Sequence, residues 1–251
     1  MPANRPFILT IAGLDPTAGA GILSDIKTFE NHRTQGFAVN TANTIQTENV
    51  FYELQWSDID FVLQSLQILL ENYEFKAVKI GIVPSLDYLS KIVAMIRKHA
   101  PLTVIIWDTV LKSSTAFSFL TIENQTALLS ILKQLDVITP NYDEMQKMQP
   151  FESNPEATAK ALSKYCSVVL KGGHNPNGKG TDYLYMENST FEFPPENSLV
   201  YPKHGSGCVF SAALAANIAL GLDIKTACRK AKGYTEKYLI SNKTLIGYHY
   251  V

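Results

Sequence analysis

Phe7-Ile8-Leu9-Thr10-Ile11-Ala12-Gly13-Leu14-Asp15-Pro16-Thr17-Ala18-Gly19-Ala20-Gly21 begins as a short run rich in Ile and Leu and becomes a Gly-rich bend. It then passes into a segment of helical periodicity reaching residue 32. That order predicts strand, loop and helix. In α/β sheets ligands bind outside the carboxyl ends of strands, where glycines let backbone N–H groups approach them. A dinucleotide site is one reading of Gly19-x-Gly21, although Ser24 stands where its third glycine belongs; a structural turn is another.

Working outward, the same unit recurs. Residues 76–80 precede a helical pattern over 85–98, and residues 103–107 precede one over 121–133. The runs at 137–139 and 168–170 are almost wholly apolar, as central parallel strands are when helices cover both faces. The predicted fold is therefore a three-layer α/β/α sandwich with a mostly parallel central sheet. Over 181–193 aromatic and polar residues alternate about Asn188 and Ser189, which predicts an edge hairpin. After Gly205 an Ala- and Leu-rich helix runs to Leu220, Gly221 stops it, and a last helix covers 223–241. With no linker or internal repeat, residues 1–251 read as a single domain.

Composition bounds the function. Hydrophobic residues make up 46% and charged residues 18% of the chain, enough for a folded core. The 22 basic and 23 acidic residues are interspersed, so there is no electrostatic footprint for nucleic acid or an anionic membrane, and a small-molecule partner is expected. No apolar run reaches the roughly 18 residues of a membrane span, and Met1 to Pro6 lack the pattern of a signal peptide, so a cytoplasmic location is expected. Cys166, Cys208 and Cys228 lack the spacing of a disulfide framework or zinc site, and the five histidines show no i, i+4 pairing. Any metal is expected to arrive with a substrate.

Three further stretches bear on chemistry. Gly173-His174-Asn175-Pro176-Asn177-Gly178-Lys179 is close to a Walker A loop. Gly180 takes the place of its Ser or Thr, however, and a strand pattern follows where a P-loop opens a helix, so it reads as a flexible loop. His204-Gly205-Ser206-Gly207-Cys208 leads directly into the Ala-rich helix. Glycines there expose consecutive N–H groups at the positive end of the helix dipole, which suits an anion; the alternative is a tight loop starting a buried helix. Asn141 and Glu144 follow Pro140 at the spacing of a helix cap.

Taken in order, several segments resemble the hydroxymethylpyrimidine and hydroxymethylpyrimidine phosphate kinases, within the ribokinase-like superfamily that includes pyridoxal kinases. They are Thr10-Ile11-Ala12-Gly13-x-Asp15-Pro16 with Gly19-Ala20-Gly21, Asp25-x-Lys27-Thr28-Phe29, Gln46, and Lys79-Ile80-Gly81. Asp108-Thr109-Val110, Thr139-Pro140-Asn141-x-x-Glu144, Lys171-Gly172-Gly173-His174 and His204-Gly205-Ser206-Gly207-Cys208 complete the set. The resemblance implies ATP-dependent phosphorylation of the hydroxymethyl group of 4-amino-5-hydroxymethyl-2-methylpyrimidine, and of its monophosphate, with pyridoxal or pyridoxine as the alternative acceptor.

It further implies that Gly13, Asp25 and Gln46 line the acceptor pocket. Asn141 and Glu144 organise the water shell of a magnesium–phosphate complex, with Glu144 the metal-side residue through water. Asp108 and His174 lie near the nucleotide, and Lys171 faces its phosphates. Gly205, Ser206 and Gly207 form the anion hole, and Cys208 stands where many ribokinase-like enzymes carry a catalytic aspartate. A thiol at a helix N-terminus is stabilised as thiolate, so Cys208 is expected to be acidic. Of the loop histidines, His174 reads as the site neighbour because it adjoins Lys171. The expected cofactors are ATP and Mg2+, and the family suggests a homodimer. Ala18 stands where the family often has glycine, and Thr47 follows Gln46 where asparagine is usual; both bear on acceptor choice. A non-catalytic binder on the same fold is the rival class, although a pure binder needs neither the magnesium element nor the anion hole.

Overall fold

The computed structural model describes residues 5–113, 117–148, 154–175, 178–197 and 199–249. Along the chain these form β1 (Phe7–Leu14), α1 (Gly21–Asn31), β2 (Gln35–Gln46), β3 (Phe51–Trp56), α2 (Ile59–Asn72), β4 (Phe75–Ile80) and α3 (Leu86–His99). There follow β5 (Val104–Trp107), α4 (Gln125–Leu132), β6 (Val137–Ile138), α5 (Tyr142–Lys147), α6 (Pro155–Leu162) and β7 (Ser167–Leu170). The last are β8 (Asp182–Met186), β9 (Ser189–Phe193), α7 (Ser206–Ala219) and α8 (Ile224–Ile240).

One sheet runs in the order β3-β2-β1-β4-β5-β6-β7-β8-β9. Its six strands from β2 to β7 are parallel, whereas β3, β8 and β9 pair antiparallel at the edges. Successive side chains of a strand point to opposite faces. Leu9, Ile11, Val78, Ile105, Trp107 and Val168 therefore meet helices α2, α3, α4 and α6, while Ile8, Ala77, Ile106 and Val169 meet α1, α7 and α8. Each Ile or Leu removed from water this way contributes roughly 1.5–3 kcal/mol. The central helix α7 is buried along almost its whole length, and its alanines let α1, α8 and the sheet approach closely. The three-layer sandwich expected from the sequence is the observed architecture.

The sequence patterns gave no expectation between residues 33 and 75. There the chain extends the sheet through β2, returns as β3 and crosses back in α2. The cap spacing of Asn141 and Glu144 does open a short helix, α5, while α6 fills a stretch that the patterns left as a connection. Because β1, β2, β4, β5, β6 and β7 run the same way, their carboxyl ends deliver the loops bearing Gly13, Gln46, Gly81, Asp108, Asn141 and Lys171 to one rim. Among the described residues no helix is long and apolar enough to cross a membrane.

Candidate active site

A cavity of about 1390 Å³ opens along that rim. Pockets for a single drug-sized ligand usually occupy about 300–1,000 Å³, so this one has room for two substrates side by side. Gly13, Gln46, Asn141, Glu144, Lys171, Gly205, Ser206, Gly207 and Cys208 all line it.

The turn before α7 is set by its neighbours. Gly205 caps the helix in the left-handed region at φ 73°, and a Cβ there would come within 2.0 Å of the Gly19 carbonyl oxygen, so only glycine fits. Val209 N donates to the Gly205 carbonyl, and the amides of Ser206, Gly207 and Cys208, the first turn of a 14-residue helix, have no backbone partner among the described residues. No acidic side chain stands in that turn. Aligned free N–H groups and the helix dipole make it a place for an anion.

Opposite lies a charged cluster. Lys171 Nζ donates to Asp108 Oδ1 at 3.0 Å, and the fully buried Asp108 also accepts from Thr139 Oγ1 at 3.0 Å and from Ser211 Oγ at 3.0 Å. Burial works against its charge, but Lys171 and Lys79 outweigh that and hold its carboxyl below the ordinary carboxylate range. Asn141 and Glu144 form a reciprocal capping box on α5: Glu144 N donates to Asn141 Oδ1 at 2.8 Å, and Asn141 N to Glu144 Oε2 at 2.8 Å. Capping and site placement thus coexist. Burial pushes Glu144 up to about 7 against the pull of Lys171, with the charge of Asp108 adding to the rise. Glu144, with the side-chain oxygen of Asn141 beside it, offers oxygen donors of the kind a hard cation takes when it keeps several of its waters.

At the acceptor end, Gln46 Nε2 donates to Thr44 Oγ1 at 2.9 Å, and Gly13 abuts Ile82. Asp25 does not line the cavity: it is fully buried behind the wall, where it accepts from Lys79 Nζ at 2.8 Å to both oxygens and from Thr10 Oγ1 at 2.6 Å. What reaches the cavity is Lys79. Burial alone would lower Lys79, and the Asp25 carboxylate outweighs that, holding the ammonium well above the ordinary lysine value. Asp108 likewise stands behind Lys171 instead of lining the cavity.

One further expectation changes. Cys208 is half-buried at the cavity wall, but the close surroundings of its sulfur push the thiol up to about 12; the Lys79 ammonium and the Gly21 amide pull it down, and the carboxylates of Asp108 and Asp25 push back. The expected acidic thiol is instead shifted toward the neutral form, because burial exceeds the pull of Lys79 and the Gly21 amide. His204 lines the cavity, and its Nε2 pairs with Asp15 Oδ2 at 2.7 Å. Asp15 also accepts from Thr17 N, Thr17 Oγ1 and Ala20 N. Burial would raise Asp15, but these bonds, led by that from His204, hold its carboxyl below the usual range, so His204 is the donor. The side chain of His174 and residues 176 and 177 of the Gly173–Lys179 loop lie outside the described residues. Asp15, Thr44 and Lys79 are site residues to which the sequence reading gave no role.

Residues 15–250 match the family model described as phosphomethylpyrimidine kinase. A hydroxymethylpyrimidine/phosphomethylpyrimidine kinase of Aquifex aeolicus is 31% identical over 244 residues, covering 94% of this chain and 95% of the relative. The crystal structure of phosphomethylpyrimidine kinase from Clostridium difficile superposes with a TM-score of 0.77 at 27% identity, over 92% of this chain and 98% of that one. An ADP complex of Bacillus subtilis pyridoxal kinase superposes with a TM-score of 0.78 at 27% identity, over 92% of this chain and 90% of that one.

Proposed function

The chain belongs to the phosphomethylpyrimidine kinase family, a family of phosphotransferases, and from that premise we propose its reaction in detail. It transfers the γ-phosphoryl group of ATP to the hydroxymethyl group of 4-amino-5-hydroxymethyl-2-methylpyrimidine, and in a second round to the resulting monophosphate. The observation that carries this reading is the free first turn of α7 beside Lys171, between the Gln46 end of the cavity and the capping box of Asn141 and Glu144.

In this reading the amides of Ser206, Gly207 and Cys208 take up the charge that builds on the transferred group, and Lys171 neutralises phosphate oxygens as it travels. Asp108 keeps Lys171 protonated and aimed. Gln46 and Gly13 orient the heteroaromatic ring, and Asp25 contributes through Lys79. Glu144, with Asn141 and Asp108 behind it, would hold magnesium through water. Bound there, the metal supplies charge neutralisation of the phosphates. Cys208 lies beside the anion hole, where a reacting hydroxyl would lose its proton.

Pyridoxal or pyridoxine is the second reading, favoured by the likeness to the Bacillus subtilis pyridoxal kinase. Both acceptors are flat heteroaromatics bearing CH2OH, so the cavity separates them only through ring contacts such as Gln46. Incubation with Mg-ATP and each of hydroxymethylpyrimidine, its monophosphate and pyridoxal, followed by mass spectrometry, decides between them. Preferred phosphorylation of the pyrimidines is the expected result; pyridoxal phosphate as the main product would replace the acceptor, and ligand binding without ATP consumption would remove the kinase reading. A homodimer completes the proposal, supported by the exposed Tyr52 of β3 and Phe61 and Ile68 of α2, and light scattering tests it.

A further inference from the structure

Lys203 immediately precedes the anion-hole turn and sits at the cavity wall, where a lysine would ordinarily be read as a phosphate ligand. Its hydrogen bonds point elsewhere. An ammonium has three protons. Those of Lys203 meet the Asn242 carbonyl at 2.6 Å, Asn242 Oδ1 at 3.0 Å and the Thr244 carbonyl at 2.5 Å. All three donors are spent on the chain's own oxygens, while Nζ lies 5.8 Å from the centroid of the Tyr201 ring.

The oxygens belong to a segment that is itself wound into a turn. Asn242 Oδ1 also accepts from Thr244 N and Thr244 Oγ1, and Asn242 Nδ2 donates to the Ile246 carbonyl. The same segment then grips the next residue of the anion-hole turn. His204 N donates to the Leu245 carbonyl at 2.9 Å, and Tyr238 Oη donates to the His204 carbonyl and receives Gly247 N. On its far side Ile246 packs at Gly19, and Gly19 seats Gly205.

The arrangement is costly on its own terms. Lys203 is only 8% exposed, and burial lowers its affinity for the proton with no carboxylate among the described residues to offset it. A buried cation held by neutral oxygens is less stable than a packed apolar side chain of the same length unless the charge has work to do.

We infer that Lys203 is a positioning residue for phosphoryl transfer: its caged ammonium fastens the Asn242–Ile246 turn against the residues that aim the amides of Ser206, Gly207 and Cys208. Lys171, not Lys203, meets the phosphates. The cage leaves one unneutralised positive charge beside the anion hole, which adds to its potential. The inference rests on the kinase reading for its effect on rate, but the fastening itself can be measured without turnover.

The test uses K203M, which keeps the length of the stem and loses the charge; K203A, which empties the cage; and K203R, whose planar fork cannot serve three converging oxygens. For each, kcat and KM are measured beside amide hydrogen exchange at residues 205–209 and 243–247. Expected are a fall in kcat of about tenfold or more in K203M and K203R, a KM for ATP within about threefold of wild type, and faster exchange in both segments. Ammonium or methylammonium at tens of millimolar should restore exchange protection and rate in K203A but not in K203M, whose side chain fills the cage. A raised KM for ATP with unchanged kcat would make Lys203 a phosphate ligand and overturn the inference, as would unchanged exchange in all three variants. A wild type that phosphorylates no acceptor sinks the functional reading, while the exchange data still decide the cage. Should K203A fail to fold, K203M and K203R carry the test.

Discussion

A Cβ built on Gly207 would stand 3.2 Å from Nζ of Lys171, so the absence of a side chain at Gly207 is what lets the lysine ammonium lie against the first turn of α7. The contact is with the far end of a flexible side chain, which can move. Gly207→Val should therefore fold and yet displace the lysine and crowd the anion. We expect turnover to fall by about a hundredfold or more, the scale for losing a preorganised anion donor, with a small change in Tm. Near-normal turnover in a folded variant would remove the anion-hole assignment.

Gly205→Ala should behave in the opposite way. Its Cβ meets backbone, the Gly19 carbonyl at 2.0 Å, and its φ of 73° is strained for any side chain. Neither can relax cheaply, so the expected outcome is lost stability, read as poor soluble yield or a large drop in Tm. A well-folded alanine variant would show that the two glycine loops are not seated on each other.

Gln46→Leu tests the acceptor end. The amide nitrogen donates to Thr44 Oγ1 while Gln46 lines the cavity, and an unpaired polar group on a bound ring costs about 1–3 kcal/mol. The KM of the acceptor should rise by about tenfold or more while that of ATP stays nearly constant. Equal effects on both substrates would make Gln46 structural.

Glu144 predicts a pH dependence whose sign is fixed. Burial lifts its carboxyl from the ordinary 4.5 to about 7, so between those values the folded protein holds a proton that the unfolded chain has released. Stability must fall as pH rises through that window and level off above about 7. Glu144→Gln keeps the capping box, because glutamine serves equally at that position, and should flatten this slope. The check is Tm against pH for both proteins without nucleotide. Parallel curves would show that Glu144 does not titrate in this range.

These tests also mark what the sequence could and could not disclose. The βα units were legible because Phe7, Ile8 and Leu9, or Val168 and Val169, form apolar runs that only strands covered on both faces require. The turn before α7 was legible as a helix start because glycines precede an Ala- and Leu-rich run, although the same glycines also suit a tight loop. The β2–β3 extension was not, since β2 exposes Gln35, Ala38, Asn43 and Ile45 without regular alternation and mixes Thr, Asn and Gln with Ala and Val, which blurs both periods. Asp25 with Lys79, and Asp15 with His204, are partners 54 and 189 residues apart. No local pattern announces such pairs; the resemblance put Asp25 in the acceptor pocket, whereas its carboxylate is held by Lys79 behind the wall. The thiol of Cys208 was misjudged for a related reason: a helix N-terminus is visible in sequence, whereas the burial that raises the thiol is a property of packing.

That last point reshapes what Cys208 can do. With its thiol near about 12, as burial sets it, thiolate is scarce at neutral pH, and the residue does not rest as a ready base. Cys166 is pushed up to about 12 as well, and burial drives Cys228 the same way, so native protein at pH 8 should react with iodoacetamide far more slowly than a free thiol of pKa about 8.5. Rapid alkylation at Cys208 would show that its sulfur is better solvated than its surroundings indicate. A role in proton transfer then runs through the minor thiolate form, which Lys79 and the Gly21 amide favour: the sulfur takes the hydroxyl proton as the substrate oxygen bonds to the phosphorus and the bond to the departing ADP breaks. Two acceptors separate this from packing. An alcohol must lose its proton during transfer, whereas a phosphate monoester has a second pKa near about 6 and arrives largely deprotonated. Cys208→Ala should therefore slow single-turnover phosphorylation of hydroxymethylpyrimidine by roughly a hundredfold, the usual scale for losing a general base, and slow that of the monophosphate far less. Equal slowing of both would point to a distorted first turn of α7, and no slowing of either would leave Cys208 as a small apolar side chain filling the space beside Gly21.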